Sequence, residues 1–111
     1  MRRLMMVLTL VVAMTVLAAG LAFAAILVGG PGPDFLVGTK HSDKIFGHEG
    51  NDVLNGRDGR DRLHGGEDDD YLYGGRDHYH DVLDGGPGFD HCDASQHPGR
   101  RDIVLDCEVV F

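Results

Sequence analysis

The amino-acid sequence predicts an all-β protein, a coil of very short strands stacked rung upon rung. Three observations carry that prediction. A nine-residue period opening on glycine runs from Gly29 to Asp93, an Asp recurs at the sixth position, and one apolar residue follows two positions after each Asp. One apolar residue in nine cannot form the stripe of an amphipathic helix, which needs roughly three or four per two turns. The 17 glycines among 111 residues oppose a helix further, at roughly 1 kcal/mol each relative to Ala.

The chain opens on Arg2 and Arg3, followed by an apolar run from Leu4 to Val28 that only Thr9, Thr15 and Gly20 interrupt. Ala22-Phe23-Ala24 fits the small-x-small pattern of a signal-peptidase site, so residues 1–24 are expected to be a signal peptide cleaved after Ala24. The run is also long enough to span a bilayer uncleaved. No Cys lies near its end to carry a lipid. All 18 acidic residues, all 7 His and both Cys follow the run, which makes the remainder strongly acidic and assigns it to the outside of the cell. Such a balance repels phosphate, and no basic patch is visible, so a nucleic-acid partner is not expected. Nor is a membrane partner expected once the leader is removed.

The repeat region, residues 25–93, reads as successive blocks: GGPGPDFLV, GTKHSDKIF, GHEGNDVLN, GRDGRDRLH, GGEDDDYLY, the longer GGRDHYHDVLD, and GGPGFDHCD. Glycine opens them at Gly29, Gly38, Gly47, Gly56, Gly65, Gly74 and Gly85. The Asp positions are Asp34, Asp43, Asp52, Asp61, Asp70, Asp81 and Asp90. The apolar positions are Leu36, Ile45, Leu54, Leu63, Leu72, Leu83 and Cys92. Each block is predicted to be a glycine-rich turn followed by a three-residue strand with its central side chain inward. A triplet of this kind cannot stand alone, so it packs on the block two further along. One edge then carries Asp34, Asp52, Asp70 and Asp90, and the other carries Asp43, Asp61 and Asp81. Ala25 to Val28 and Phe35 are expected to cover the first rung.

Residues 94–111 are expected to close the coil, because an open solenoid would otherwise expose an apolar face and a strand edge. Ala94 to Arg101 reads as a polar loop. Ile103, Leu105, Cys107, Val109 and Phe111 alternate, which predicts one capping strand with those residues on the inner face. Cys92 holds the inward position of the last block, and a Cys92–Cys107 disulfide would pin the cap to it, stabilising by about 3 kcal/mol for a loop of this length. The core is thin, so a small scaffold of this kind needs such a staple.

The G-G-x-G-x-D-x-U-x pattern from Gly29 to about Asp93 resembles the hemolysin-type calcium-binding, or RTX, nonapeptide repeat. That resemblance implies a right-handed parallel β-roll with Ca²⁺ held between successive loops along each edge, and secretion from a bacterium. The metal ligands it implies are Asp34, Asp43, Asp52, Asp61, Asp70, Asp81 and Asp90, with backbone carbonyls near Gly30, Gly32, Gly50, Gly59, Gly66, Gly75, Gly86 and Gly88. Neighbour pairing gives five sites at most. Ca²⁺ takes six to eight oxygens at about 2.3–2.6 Å, and short carboxylates plus turn carbonyls can supply them. Rows of Asp about 4.8 Å apart also repel one another until a cation lies between them, so folding and calcium binding are expected to be linked. A metal-free coil in which Gly and Asp merely make solvated turns is the alternative.

Several departures from the pattern stand out. Position two is Thr39, His48 or Arg57 in three blocks, and position four is His41, Asp68 or Asp77 in three. A weakened site is expected beside His41, and a bulged loop between Gly74 and Asp81. His78, His80 and His91 could gather to hold Zn²⁺ instead. No nucleophile constellation surrounds Ser42 or Ser95, so no enzyme is expected. Two functions remain open at this level: a secreted calcium-binding module that extracellular calcium folds, or a cell-surface adhesion protein in which calcium is purely structural. Neither reading names a protein partner.

Overall fold

The computed structural model describes residues 24–75, 78–94 and 102–111. Residues 1–23 of the expected leader and all of the expected polar loop after Ala94 fall outside the described residues. The rest is all-β, with no helix among the described residues. Ten strands follow one another: β1 (Ile26–Val28), β2 (Phe35–Val37), β3 (Lys44–Phe46), β4 (Val53–Asn55), β5 (Arg62–His64), β6 (Tyr71–Tyr73), β7 (Val82–Asp84), β8 (His91–Asp93), β9 (Ile103–Leu105) and β10 (Val109–Val110).

Alternate strands pair. The first sheet runs β1-β3-β5-β7-β9 and the second β10-β8-β6-β4-β2, with every pairing parallel. The chain therefore winds through two strands per coil, one in each sheet, and forms a parallel β-roll. The nine-residue period fixes the register, since apolar positions 18 residues apart lie opposite one another. Ile45 pairs with Leu63, and Leu36 with Leu54. The two-residue insertion in the sixth block leaves this intact: Leu63 still faces Leu83 and Leu72 still faces Cys92. Arg76 and Asp77, in the loop expected to bulge, lie outside the described residues.

Between the sheets lie Leu27, Leu36, Ile45, Leu54, Leu63, Leu72, Leu83 and Cys92, all buried, with Ala25 beside them. They form one row per sheet, a single side chain deep. Alternation along each triplet turns the flanking residues outward, so Phe35, Val53 and Tyr71 are exposed on the second sheet. On the first sheet Phe46 stacks on His64 with ring centroids 5.2 Å apart, and His64 Nδ1 lies 3.4 Å from Asp84 Oδ2.

The two ends differ from the sequence expectation. Phe35 does not cover the first rung. It is 68% exposed, because it stands next to the inward Leu36 and the period-2 strand turns it out. Of the expected cover, Ala25 and Leu27 in the segment Ala25 to Val28 are buried at that end. At the other end the single capping strand is two strands in two sheets. β9 pairs with β7 so that Val104, not Ile103 or Leu105, opposes Leu83. Ile103 and Leu105 are 55% and 48% exposed. The chain then turns at Asp106, whose φ is 49°, and β10 continues the second sheet on β8. Val110 and Phe111 are exposed, whereas Val104 and Cys107 pack against the core. The Cys92–Cys107 disulfide is formed and ties the turn between the two strands to the last full rung.

Candidate metal sites

The Asp that ends each turn is the most regular polar feature of the roll. Asp43, Asp52, Asp61, Asp70, Asp81 and Asp90 are all at most 2% exposed, which for carboxylates demands partners. One oxygen of each finds a partner in the neighbouring coil. On the second-sheet edge the Asp34 amide donates to Asp52 Oδ1 at 2.8 Å, Asp52 to Asp70 at 2.8 Å, and Asp70 to Asp90 at 2.7 Å. On the first-sheet edge Asp43 donates to Asp61, and Asp61 to Asp81, each at 2.8 Å. The two predicted rows of acids are therefore real, and each is threaded on amide-to-carboxylate bonds.

Both rows extend past the residues that the period identifies. Ala25 donates to Asp43 at 2.8 Å and starts the first row. Asp81 donates to Asp102 Oδ1 at 2.8 Å, and Asp90 to Glu108 Oε2 at 2.7 Å. Asp102 and Glu108 fall outside the nine-residue period because no glycine-rich turn precedes them. The signal was nonetheless present: Asp102-Ile103-Val104-Leu105 and Glu108-Val109-Val110-Phe111 repeat the acid-x-apolar-x ending of a block.

The second carboxylate oxygen separates the turns into two kinds. In the first two turns it is taken locally. The Gly30 amide donates to Asp34 Oδ2 at 2.8 Å, and the Thr39 amide donates to Asp43 Oδ2 at 2.6 Å, with the Thr39 hydroxyl 2.9 Å from Oδ1. In Asp52, Asp70 and Asp90 this oxygen is buried and accepts no hydrogen bond. Backbone conformation divides the turns the same way. His48 and Gly50, Arg57 and Gly59, Gly66 and Asp68, Gly75, and Gly86 and Gly88 all have positive φ, whereas no residue of the first two turns does. Holding His48, Arg57 and Asp68 left-handed, at φ of 66–71°, costs of order 1–2 kcal/mol each, a strain typical of ligand-binding backbone.

Glycine at position one keeps a space open inside these turns. A Cβ on Gly65 would lie 2.5 Å from Asp70 Oδ2 and 2.8 Å from the Gly85 carbonyl oxygen of the next coil. A Cβ on Gly74 would lie 2.8 Å from Asp81 Oδ2 and 3.1 Å from Asp102 Oδ2. Oxygen atoms from two successive coils thus face one small gap. Position four is equally restrictive. A side chain at Gly59, with φ of 93°, would press on the His41 carbonyl oxygen at 2.7 Å, whereas Gly32 has nothing within 4 Å. Gly59→Ala is expected to lower the Tm of the folded protein by at least about 5 °C, the equivalent of roughly 1 kcal/mol in a domain this small, and Gly32→Ala to leave it unchanged. A thermal melt of the two variants checks this.

Burial raises the carboxyl pKa of Asp52 and Asp90 from 3.8 to about 6 and that of Asp70 to about 7. The bond from the preceding Asp amide lowers each in part. Repulsion raises them again, from Asp34 on Asp52, from Asp90 on Asp70, and from Glu108 on Asp90. Such a row asks for a cation.

Four copies of the RTX calcium-binding nonapeptide repeat match the sequence, over residues 20–54, 28–63, 46–79 and 55–92. The chain belongs to this family. No curated protein and no solved structure matches the chain. RTX repeats bind Ca²⁺, and the donor set suits it: buried carboxylate oxygens with no hydrogen bond, facing backbone carbonyls across gaps that only glycine leaves open. All are hard oxygen donors. Among the described residues, nitrogen and sulfur donors are not gathered. No group of three or more His, Cys, Asp or Glu side chains is placed to hold a metal among the described residues. Of the three histidines weighed for Zn²⁺, His91 lies on the outer face of β8, stacked between Tyr71 and Phe111 with centroids 6.3 Å from each.

Proposed function

We propose that this RTX protein is a secreted, non-catalytic calcium-binding module whose roll folds around Ca²⁺ held between Asp-bearing turns. The ligands in this reading are Asp52, Asp70 and Asp90 on one edge and Asp61 and Asp81 on the other. Carbonyls of the left-handed turns around Gly50, Gly59, Gly66, Gly75, Gly86 and Gly88 complete them. The single observation that carries the assignment is the buried second oxygen of Asp52, Asp70 and Asp90, which accepts no hydrogen bond. A bound cation satisfies it and removes the repulsion along the row.

Three sites follow, between Asp52 and Asp70, Asp70 and Asp90, and Asp61 and Asp81. The pairs beginning at Asp34 and Asp43 are weaker, because those carboxylates already accept amides of their own turns. His41 belongs to the second of these turns, where its amide donates to Thr39 Oγ1 at 3.1 Å. An open groove lined by Gly30, Pro31, His48, Glu49, Gly66 and Glu67 lies on the same edge as Asp52.

Secretion rests on the Arg2-Arg3 start, the apolar run and Ala22-Phe23-Ala24. The Cys92–Cys107 bond supports it, since disulfides persist outside the reducing cytosol. Extracellular calcium modules work at about 10⁻⁴–10⁻³ M. Calcium calorimetry is expected to return at least three ions per chain in that range or tighter, and no detectable binding would overturn the proposal.

A further inference from the structure

The nonapeptide matches end at residue 92, yet the polar row on the second-sheet edge does not. Asp90 is fully buried, and its Oδ2 accepts no hydrogen bond. A Cβ on Gly85 would lie 2.6 Å from that oxygen and would also meet the Asp106 carbonyl oxygen. This is the pair of atoms found one coil earlier, where Asp70 Oδ2 and the Gly85 carbonyl oxygen flank Gly65. Asp106 therefore takes the place of a block-opening glycine. Like His48, Arg57 and Asp68 it is held left-handed. Glu108 takes the place of the closing Asp, with Oε2 accepting the Asp90 amide at 2.7 Å.

The cap turn reaches from the first of these positions to the last in three residues, where the other turns on the same edge use six. It lacks the intervening backbone that shapes the other turns. Cys107, the middle residue, is instead bonded to Cys92, whose side chain is fully buried in the last rung. The disulfide thus holds the Asp106 carbonyl and the Glu108 carboxylate over Asp90.

We propose that the cap holds a calcium ion of its own, bound by Asp90 Oδ2, the Asp106 carbonyl and Glu108, and that this site exists only while Cys92 and Cys107 are joined. Water fills the remaining coordination positions, so the site is weaker than those of the roll. Its dependence on the disulfide makes calcium loading at the C-terminal end sensitive to thiol reduction. The inference rests on the calcium reading of the roll and adds a site outside the repeat.

The test is calcium calorimetry on the oxidised protein, on the same protein after reduction by a phosphine, and on Glu108→Gln. Gln retains an oxygen to accept the Asp90 amide but loses the charge. Circular dichroism in saturating calcium checks that each form keeps its β signal. Reduction and Glu108→Gln are each expected to remove the weakest ion, one per chain, and to leave the affinity of the others within about twofold. Unchanged stoichiometry in either form, with the β signal retained, overturns the cap site while leaving the roll sites standing. Absence of calcium binding in the oxidised wild type overturns both readings.

Discussion

Asp70→Asn should lose two calcium ions and, in the same protein, make the calcium-free form more stable at neutral pH. Asp70 stands in the middle of its row. Its Oδ1 accepts the Asp52 amide at 2.8 Å, a bond that the Asn carbonyl oxygen can keep. Its Oδ2 faces the Gly85 carbonyl oxygen across Gly65. There an Asn amide can donate, where an anion finds only another acceptor. The substitution removes a buried charge whose pKa burial has raised from 3.8 to about 7. At about 1.4 kcal/mol per unit, relief of that charge is worth roughly 2–4 kcal/mol to the calcium-free roll. The same change removes a ligand from the sites on either side. Calorimetry reads the stoichiometry, and the β signal that each protein keeps in chelator, by far-ultraviolet circular dichroism, reads the stability of the calcium-free form. A variant that bound calcium normally, or was less stable than the wild type in chelator, would contradict the assignment of Asp70.

The calcium-free protein is expected to be more stable at about pH 4.5 than at about pH 7.5, and calcium is expected to reverse that order. Asp52, Asp70 and Asp90 have folded pKa values near 6, 7 and 6 against an ordinary 3.8. Well below pH 3.8 these groups are protonated in both states and add no pH dependence. Between about pH 4 and pH 7 the unfolded chain loses protons that the roll retains, so stability falls as the pH rises. By about pH 8 the loss is complete. Saturating calcium takes only the ionised carboxylates, so protons compete with it and calcium stabilises least in acid. The folded fraction at the two pH values, read by far-ultraviolet circular dichroism with calcium and with chelator, measures both signs. A calcium-free protein that gained stability between pH 4.5 and pH 7.5 would contradict the raised carboxylates.

The period made most of this architecture legible. Because the repeat length is constant, Leu36, Leu54 and Leu72 had to share one column and Asp34, Asp52 and Asp70 one edge. The insertion before Asp81 could be confined to a loop because the residues after it resume the spacing. The ends were harder to read because they break the period. The alternation of Ile103, Leu105 and Cys107 is genuine, but parity comes from the rung below. Asp102 pairs with Asp81, which places Val104 inward, and the left-handed Asp106 then starts a second strand. The first two turns also carry the right Asp, yet their amides fold back on it. That difference depends on backbone conformation, and no residue count exposes it. Thr39, which adds a hydroxyl donor to Asp43, was the one sequence hint.

The most direct test of calcium-dependent folding is a calcium titration at about pH 7.5, starting from excess EGTA and followed by far-ultraviolet circular dichroism and hydrodynamic radius, with Mg²⁺ as control. The expected result is a largely unfolded, expanded chain in EGTA. It should gain β signal and contract as Ca²⁺ rises from micromolar to millimolar levels, and show no response to Mg²⁺, which demands a smaller and more rigid octahedron. An equally compact, β-rich protein in EGTA would contradict the account, because the buried acid rows would then hold together without an ion between them.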